Sequence, residues 1–236
     1  MADVATDAEK DPLLSQGAHE IRTPVSVIVG WAGMMATERL GPLTDLQRRA
    51  LGDIANSTAK LKELAEEMSQ LSRLRAGGVR MARAHLELAP LITAAVPSVP
   101  PLPDREVSIR VIDNALGAVV NGDAAYLRSA FNSLIFAQRR ELVTCDELCV
   151  AIDRASGGEP GTRVTIGGTD AIEELRQARS SELAPLVEFR GGIGFKLSIA
   201  RHVIEGHGGQ VFSKIVPADI SRSMLIIGAT VILPES

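Results

Sequence analysis

Aromatic residues are scarce: one Trp, one Tyr and five Phe among 236 residues. Any core is therefore built from Leu, Ile, Val and Ala. Cysteine is scarcer still. Cys145 and Cys149 stand four apart with no histidine pair nearby to complete a zinc site, and they read as reduced thiols of a cytosolic protein. No apolar run reaches the length of a membrane span. The first residues, MADVATDAEKDP, are polar and acidic, unlike a signal peptide. Basic charge is not in excess, since 25 Lys and Arg stand against 29 Asp and Glu. That argues against a general nucleic-acid binder. There is no repeat of solenoid period, and the only biased stretch is the short PSVPPLP segment. What remains is an ordinary soluble composition, 45% hydrophobic and 23% charged, long enough for one or two domains.

The first third reads as two helices. Leu14, Ala18, Ile21, Val25, Ile28, Ala32 and Met35 alternate at spacings of four and three, a coiled-coil seam. Asp11-Pro12 opens this run and Gly41-Pro42 ends it. Thr44-Asp45-Leu46-Gln47 has the form of a capping box. After it Leu51, Ile54, Thr58, Leu61, Ala65, Met68 and Ser72 repeat the seam until Ala76-Gly77-Gly78. Helices of this length, roughly 40–48 Å, joined by a short connection form an antiparallel hairpin. One hairpin cannot bury both seams, so a homodimeric four-helix bundle is expected.

The rest mixes strands and helices. Helices are expected over residues 86–96, 123–142, 172–179 and 197–206. Strands are expected over 106–113, 118–121, 148–153, 163–167, 211–215 and 223–233, with a hairpin turn at Ser156-Gly157-Gly158. The expected organisation is a tail over residues 1–10, a helical hairpin over 11–76 and an α/β sandwich over 81–236.

The strongest motif is Ala18-His19-Glu20-Ile21-Arg22-Thr23-Pro24. It resembles the S-H-E-L-R-T-P-L box of the dimerisation and phosphoacceptor domain of bacterial sensor histidine kinases. Leu71 to Gly77 (LSRLRAG) extends the likeness to the end of the hairpin. His19 follows the seam residue Ala18, which puts it on the surface, where a neutral imidazole is a competent nucleophile. Glu20 is expected to hold the other ring nitrogen. Thr23, one turn after His19, is placed to orient a water against a phosphoryl group. Pro24 removes a helix hydrogen bond beside His19. Trp31 and Met34 lie further along the same helix.

The second half resembles the ATP-binding domain of the same kinases, the fold shared with gyrase. Gly122-Asp123, Leu127-Arg128 and the terminal Gly228–Pro234 run (GATVILP) carry the likeness. The family's asparagine helix, N-L-x-x-N-A, reads Asn132-Ser133-Leu134-Ile135-Phe136-Ala137, so the magnesium-holding asparagine falls on Phe136. Gln138-Arg139-Arg140 matches the following basic segment only in part. Where the family has D-x-G-x-G, this chain has Gly167-Gly168-Thr169-Asp170-Ala171, and the base-reading aspartate falls on Gly167. The glycine loop survives as Gly192-Ile193-Gly194-Phe195-Lys196-Leu197, with Lys196 in place of the third glycine. Asn132, Gly192, Gly194 and Lys196 are the nucleotide contacts if a nucleotide binds, and Glu173, Glu174 and Glu182 in a short lid do not favour one.

The resemblance implies a histidine phosphotransfer protein that passes a phosphoryl group between receiver-domain aspartates through His19, without ATP. Its partners would be response-regulator receiver domains, which bring their own Mg2+, and possible partner kinases; no metal site is expected on this chain. The alternatives are a histidine kinase that uses ATP and Mg2+ through unusual contacts, and a non-catalytic scaffold. His85 and His202 read as surface residues, His207 as part of a helix end, and Arg48 and Arg49 as solvated.

Overall fold

The computed structural model describes residues 11–142, 145–155, 161–217 and 224–235. The expected tail over residues 1–10, the turn at Ser156-Gly157-Gly158 and the start of the last strand at Ser223 lie outside them. The chain forms two compact units, one up to Val79 and one from Arg80 onwards.

The first unit is an antiparallel pair of helices, α1 (Pro12–Ala36) and α2 (Asp45–Arg75). Pro12 at the first turn needs no N–H donor. The capping box opens α2: Thr44 Oγ1 accepts from the Gln47 N–H at 3.3 Å, and the Thr44 N–H donates to Gln47 Oε1 at 2.8 Å. α1 ends at Ala36, before the glycine, because residues 37–40 leave the helix in turns and Glu38 adopts a φ of 56°. The far end of the hairpin is tied by Arg75, which pairs with Asp11 at 2.7 Å.

The seam divides into two lines. Leu51, Thr58, Ala65 and Ser72, seven residues apart, are buried, as are Ala18 and Val25 on α1. The other line stays open: Ile28, Ile54 and Leu61 are each 42% exposed. Beside it a groove of about 490 Å³ runs between the helices, floored by Ala32, Gly33, Leu51, Ala55 and Thr58.

The second unit is a two-layer α/β sandwich. In chain order it holds β1 (Ala84–Glu87), α3 (Leu88–Ala95), β2 (Ser108–Asp113), β3 (Val119–Gly122), α4 (Ala124–Glu141), β4 (Glu147–Arg154) and β5 (Thr162–Gly168). It continues with α5 (Ile172–Gln177), β6 (Ala184–Pro185), α6 (Lys196–Gly206), β7 (Gln210–Pro217) and β8 (Met224–Leu233). The main sheet has the order β2-β4-β5-β8-β7-β6, and β1 pairs separately with β3. The helix expected from residue 86 begins only at Leu88. Leu86 and Glu87 are taken as strand partners by Val120 and Val119, a long-range pairing that local periodicity does not reveal. The two-residue strand β6 was not expected either.

Side chains alternate across the sheet. Leu148, Val150 and Ile152 of β4 point to one face, where Leu127, Phe131, Leu134 and Leu197 complete the core. Cys149 and Ala151 point to the other, where they cluster with Ile172 of α5. No helix among the described residues is long and apolar enough to cross a membrane.

Candidate phosphoacceptor site and the nucleotide-like cleft

His19 lies on the exposed face of α1, next to the fully buried Ala18. α1 continues through Pro24. Proline brings no N–H to the Glu20 carbonyl, and nearby hydroxyls bond back to the helix. Thr23 Oγ1 donates to the His19 carbonyl at 3.4 Å and Ser26 Oγ to the Arg22 carbonyl at 2.8 Å. The Thr23 proton is thus directed at the backbone, and only its lone pairs face outwards. Among the described residues no hydrogen bond joins Glu20 to the imidazole. Adjacent helical positions do not face each other, so the expected grip of Glu20 on the second ring nitrogen is absent from this structure. Arg22, one turn from His19, donates to Ser69 Oγ on α2 at 3.2 Å. Trp31 is 55% exposed and Met34 half-buried on the same helix.

The positions that match the family's nucleotide motifs lie on α4, at the end of β5 and in the segment before α6. The glycine loop has the backbone that requires glycine, with φ of 74° at Gly192 and 64° at Gly194. Lys196 is the first residue of α6. Side chains of the same chain stand around this loop. A Cβ on Gly192 would lie 3.2 Å from the Arg140 guanidinium, which sits 5.8 Å from the centre of the Phe136 ring. Asn132, the matched asparagine of the helix motif, points elsewhere. Its amide donates to the Ala95 carbonyl and to Ser98 Oγ at 3.4 and 3.2 Å, tying α4 to the end of α3.

Arg190, just before the loop, turns inwards. With the Gln138 amide turned so that its oxygen faces Arg190, it accepts from both terminal nitrogens of that arginine at 3.2 Å, and Arg190 Nε donates to the Val187 carbonyl at 3.1 Å. Burial pushes the Arg190 pKa down, and the neighbouring Glu141 carboxylate opposes that. Gln138 is only 2% exposed. Its pairing with a residue some fifty positions away leaves no periodic signal, and sequence reasoning missed it.

The base-reading position also needs correction. Gly167 pairs with Cys149 and Gly228, so it faces α5 rather than α4. A Cβ there would stand 2.4 Å from Leu175 Cδ1. The neighbour that faces α4 is Gly168, where a Cβ would meet Leu142, Cys145 and Asp170 within 2.8 Å. A small cavity of about 40 Å³ lies at the C-terminal end of α4, bounded by Gln138, Glu141, Leu142, Gly167 and Asp170. Phe136 offers no oxygen to magnesium, which demands an octahedral oxygen set. These residues do not fit a magnesium-bound nucleotide.

The other histidines take structural places. His207, 4% exposed, closes α6, its Nε2 accepting from the Asp123 N–H at 2.9 Å while Nδ1 bonds the Val203 carbonyl at 2.7 Å. His202 Nδ1 bonds the Ser198 carbonyl at 2.8 Å, and His85 is exposed on β1. No group of three or more His, Cys, Asp or Glu able to hold a metal occurs among the described residues.

Residues 10–77 match the model of the His Kinase A (phospho-acceptor) domain. The chain is 32% identical over 99 residues to the cell-division control histidine kinase PdhS of Brucella abortus, covering 42% of this chain and 10% of PdhS. It is 22% identical over 214 residues to the circadian input-output histidine kinase CikA of Synechococcus elongatus, covering 88% of this chain and 28% of CikA. The chain therefore spans under a third of either relative. In fold it is similar to full-length ShkA in complex with AMPPNP, with a TM-score of 0.66 at 18% identity over 95% of this chain and 46% of ShkA. It is also similar to the Acinetobacter baumannii histidine kinase AdeS, with a TM-score of 0.55 at 14% identity over 91% and 97% of the two chains. Residues 10–77 are thus similar to the His Kinase A phosphoacceptor domain, and the chain as a whole shares the fold of the ShkA and AdeS histidine kinases.

Proposed function

We propose that this chain is a two-component phosphotransfer protein in which His19 takes a phosphoryl group from one receiver-domain aspartate and passes it to another, with ATP binding lost. One contrast carries the reading: an exposed His19 in a complete phosphoacceptor box, against a nucleotide-like unit with Phe136 at the magnesium position and the Arg140 guanidinium 3.2 Å from where a Gly192 Cβ would lie. In the forward step the unprotonated ring nitrogen attacks phosphorus. An N–P bond forms, the P–O bond to the aspartyl carboxylate breaks, and the carboxylate leaves with the electron pair. The second receiver reverses the step. This exchange between two high-energy phosphates needs no nucleotide. Catalysis is mostly positioning, with Mg2+ supplied by the receiver. The open line of Ile28, Ile54 and Leu61 supports a homodimer that closes it into a four-helix bundle.

A second reading, a kinase that phosphorylates His19 from ATP, is favoured by the relatives, which are named histidine kinases, and by the glycine backbone kept at Gly192 and Gly194. One experiment separates the two. The purified chain is offered a phosphorylated receiver domain, and in parallel magnesium and ATP. Label from the receiver but not from ATP is expected. Label from ATP alone would establish the kinase.

A further inference from the structure

We infer that Ser69 is a positioning residue for the phosphoryl group on His19, acting through Arg22; this rests on the reading of His19 as phosphoacceptor. His19 and Arg22 are three residues apart on α1, one turn along the same side of the helix. An untethered arginine at this exposed place would sample many rotamers. Here one terminal nitrogen donates to Ser69 Oγ at 3.2 Å. Ser69 Oγ accepts through a lone pair while its own proton is donated to the Ala65 carbonyl at 3.0 Å. The hydroxyl is thus fixed as an acceptor towards α1, and Ser69 is half-buried where Arg22 is exposed. The anchor is the fixed member of the pair.

The tether leaves most of the guanidinium fork unspent. Arginine carries five N–H donors, and one of them is used on Ser69. The phosphoryl group on the imidazole carries its charge on three peripheral oxygens, and planar N–H pairs suit such oxygens. Holding Arg22 beside His19 in advance removes a reorganisation step when the charge arrives. The sequence motif names Arg22 but contains nothing of Ser69, which lies 47 residues away.

The test uses the full chain and a small donor, phosphoramidate, so that no receiver surface is involved. The ring nitrogen attacks phosphorus, the donor's P–N bond breaks, and ammonia leaves with the electron pair. Initial labelling rate and lifetime of phosphohistidine are measured for wild type, Ser69→Ala, Ser69→Thr, Arg22→Gln and the double variant Ser69→Ala with Arg22→Gln. Ser69→Ala is expected to slow labelling about three- to tenfold and to shorten the lifetime. Ser69→Thr, which keeps the hydroxyl, is expected to stay near wild type. In the Arg22→Gln background Ser69→Ala should change nothing more, since the residue acts through that arginine. A labelled wild type with an unchanged Ser69→Ala, or equal losses in Ser69→Ala with and without Arg22, overturns the tether alone. A wild type that takes no label under conditions that label a free histidine peptide overturns the phosphoacceptor reading, and the tether with it.

Discussion

The hairpin and the α/β unit keep different things. In the hairpin the motif is complete and the chemistry faces solvent: His19 is exposed, and its neighbours Ala18 and Val25 are buried in the packing that holds α1 against α2. In the α/β unit the scaffold is complete, and the motif positions carry other residues, Phe136 and Lys196 among them. Leu127, Phe131, Leu134 and Leu197 are buried in the core, while Arg140 stands beside Gly192 and Arg190 beside Gln138. The comparison teaches that the residues that make a fold and the residues that make its site are largely separate sets. The leucines that hold this architecture are not the residues that would meet a ligand.

The sharpest break of this contrast is at His19. His19→Ala is expected to abolish labelling from a phosphorylated receiver, while stability moves by under about 0.5 kcal/mol, as for other exposed positions. Label retained at His85, His202 or His207 would show that the hairpin motif is not the acceptor. A complementary measurement asks whether the α/β unit binds nucleotide. Calorimetric titration with magnesium and ATP is expected to give no heat of specific binding. Micromolar affinity would remove the contrast and favour the kinase. Phe136→Asn with Gly167→Asp is not expected to restore binding, because Leu175 stands 2.4 Å from the Cβ that Gly167 lacks. A buried carboxylate there, on the α5 face, is expected instead to destabilise the unit by several kcal/mol.

Next in size is assembly. Ile28 and Leu61 are the open line of the hairpin, each 42% exposed. Ile28→Glu or Leu61→Glu is expected to shift light-scattering mass from a dimer to the 25.0 kDa chain, since a charge buried without a partner is costly. A wild type that already scatters as a monomer at micromolar concentration would make the exposed line something other than a dimer seam.

How far the sequence could be read follows the same division. The capping box at Thr44, the two helices and the seam were legible because their causes are local: three- and four-residue periodicity and a cap within one turn. The exposure of His19 followed from its place beside Ala18. Strand β1 was not legible, since Leu86 and Glu87 are strand only through Val120 and Val119. The register of the cleft was not legible either. A one-residue shift moves a side chain to the opposite face of a sheet, and the strand pairing that puts Gly168 rather than Gly167 towards α4 is a long-range fact. The Arg190–Gln138 contact is of the same kind.

The smallest expected effect concerns the scaffold of the α/β unit and its dependence on pH. Asp123 caps α4, its carboxylate accepting from the N–H groups of Ala125 at 3.0 Å, Tyr126 at 3.3 Å and Ala82 at 2.8 Å. Burial pushes this carboxyl upwards, but the three N–H donors and His207 together hold its pKa below the usual value. A group whose pKa is lower folded than unfolded stabilises the fold above its unfolded pKa. That stabilisation is lost as pH falls through the depressed value. Asp123→Ala is expected to cost about 1–2 kcal/mol at neutral pH, the usual range for a lost cap. Asp123→Asn, which keeps an oxygen for the N–H groups but no charge, should cost less. Urea melts followed through Tyr126, the only tyrosine of the chain, would read the α/β unit in wild type and both variants. The gap between wild type and Asp123→Asn should narrow as the buffer moves from about pH 7 to about pH 3, through the ordinary carboxylate range. A gap of constant width would mean that the three N–H groups read the shape of the cap and not its charge.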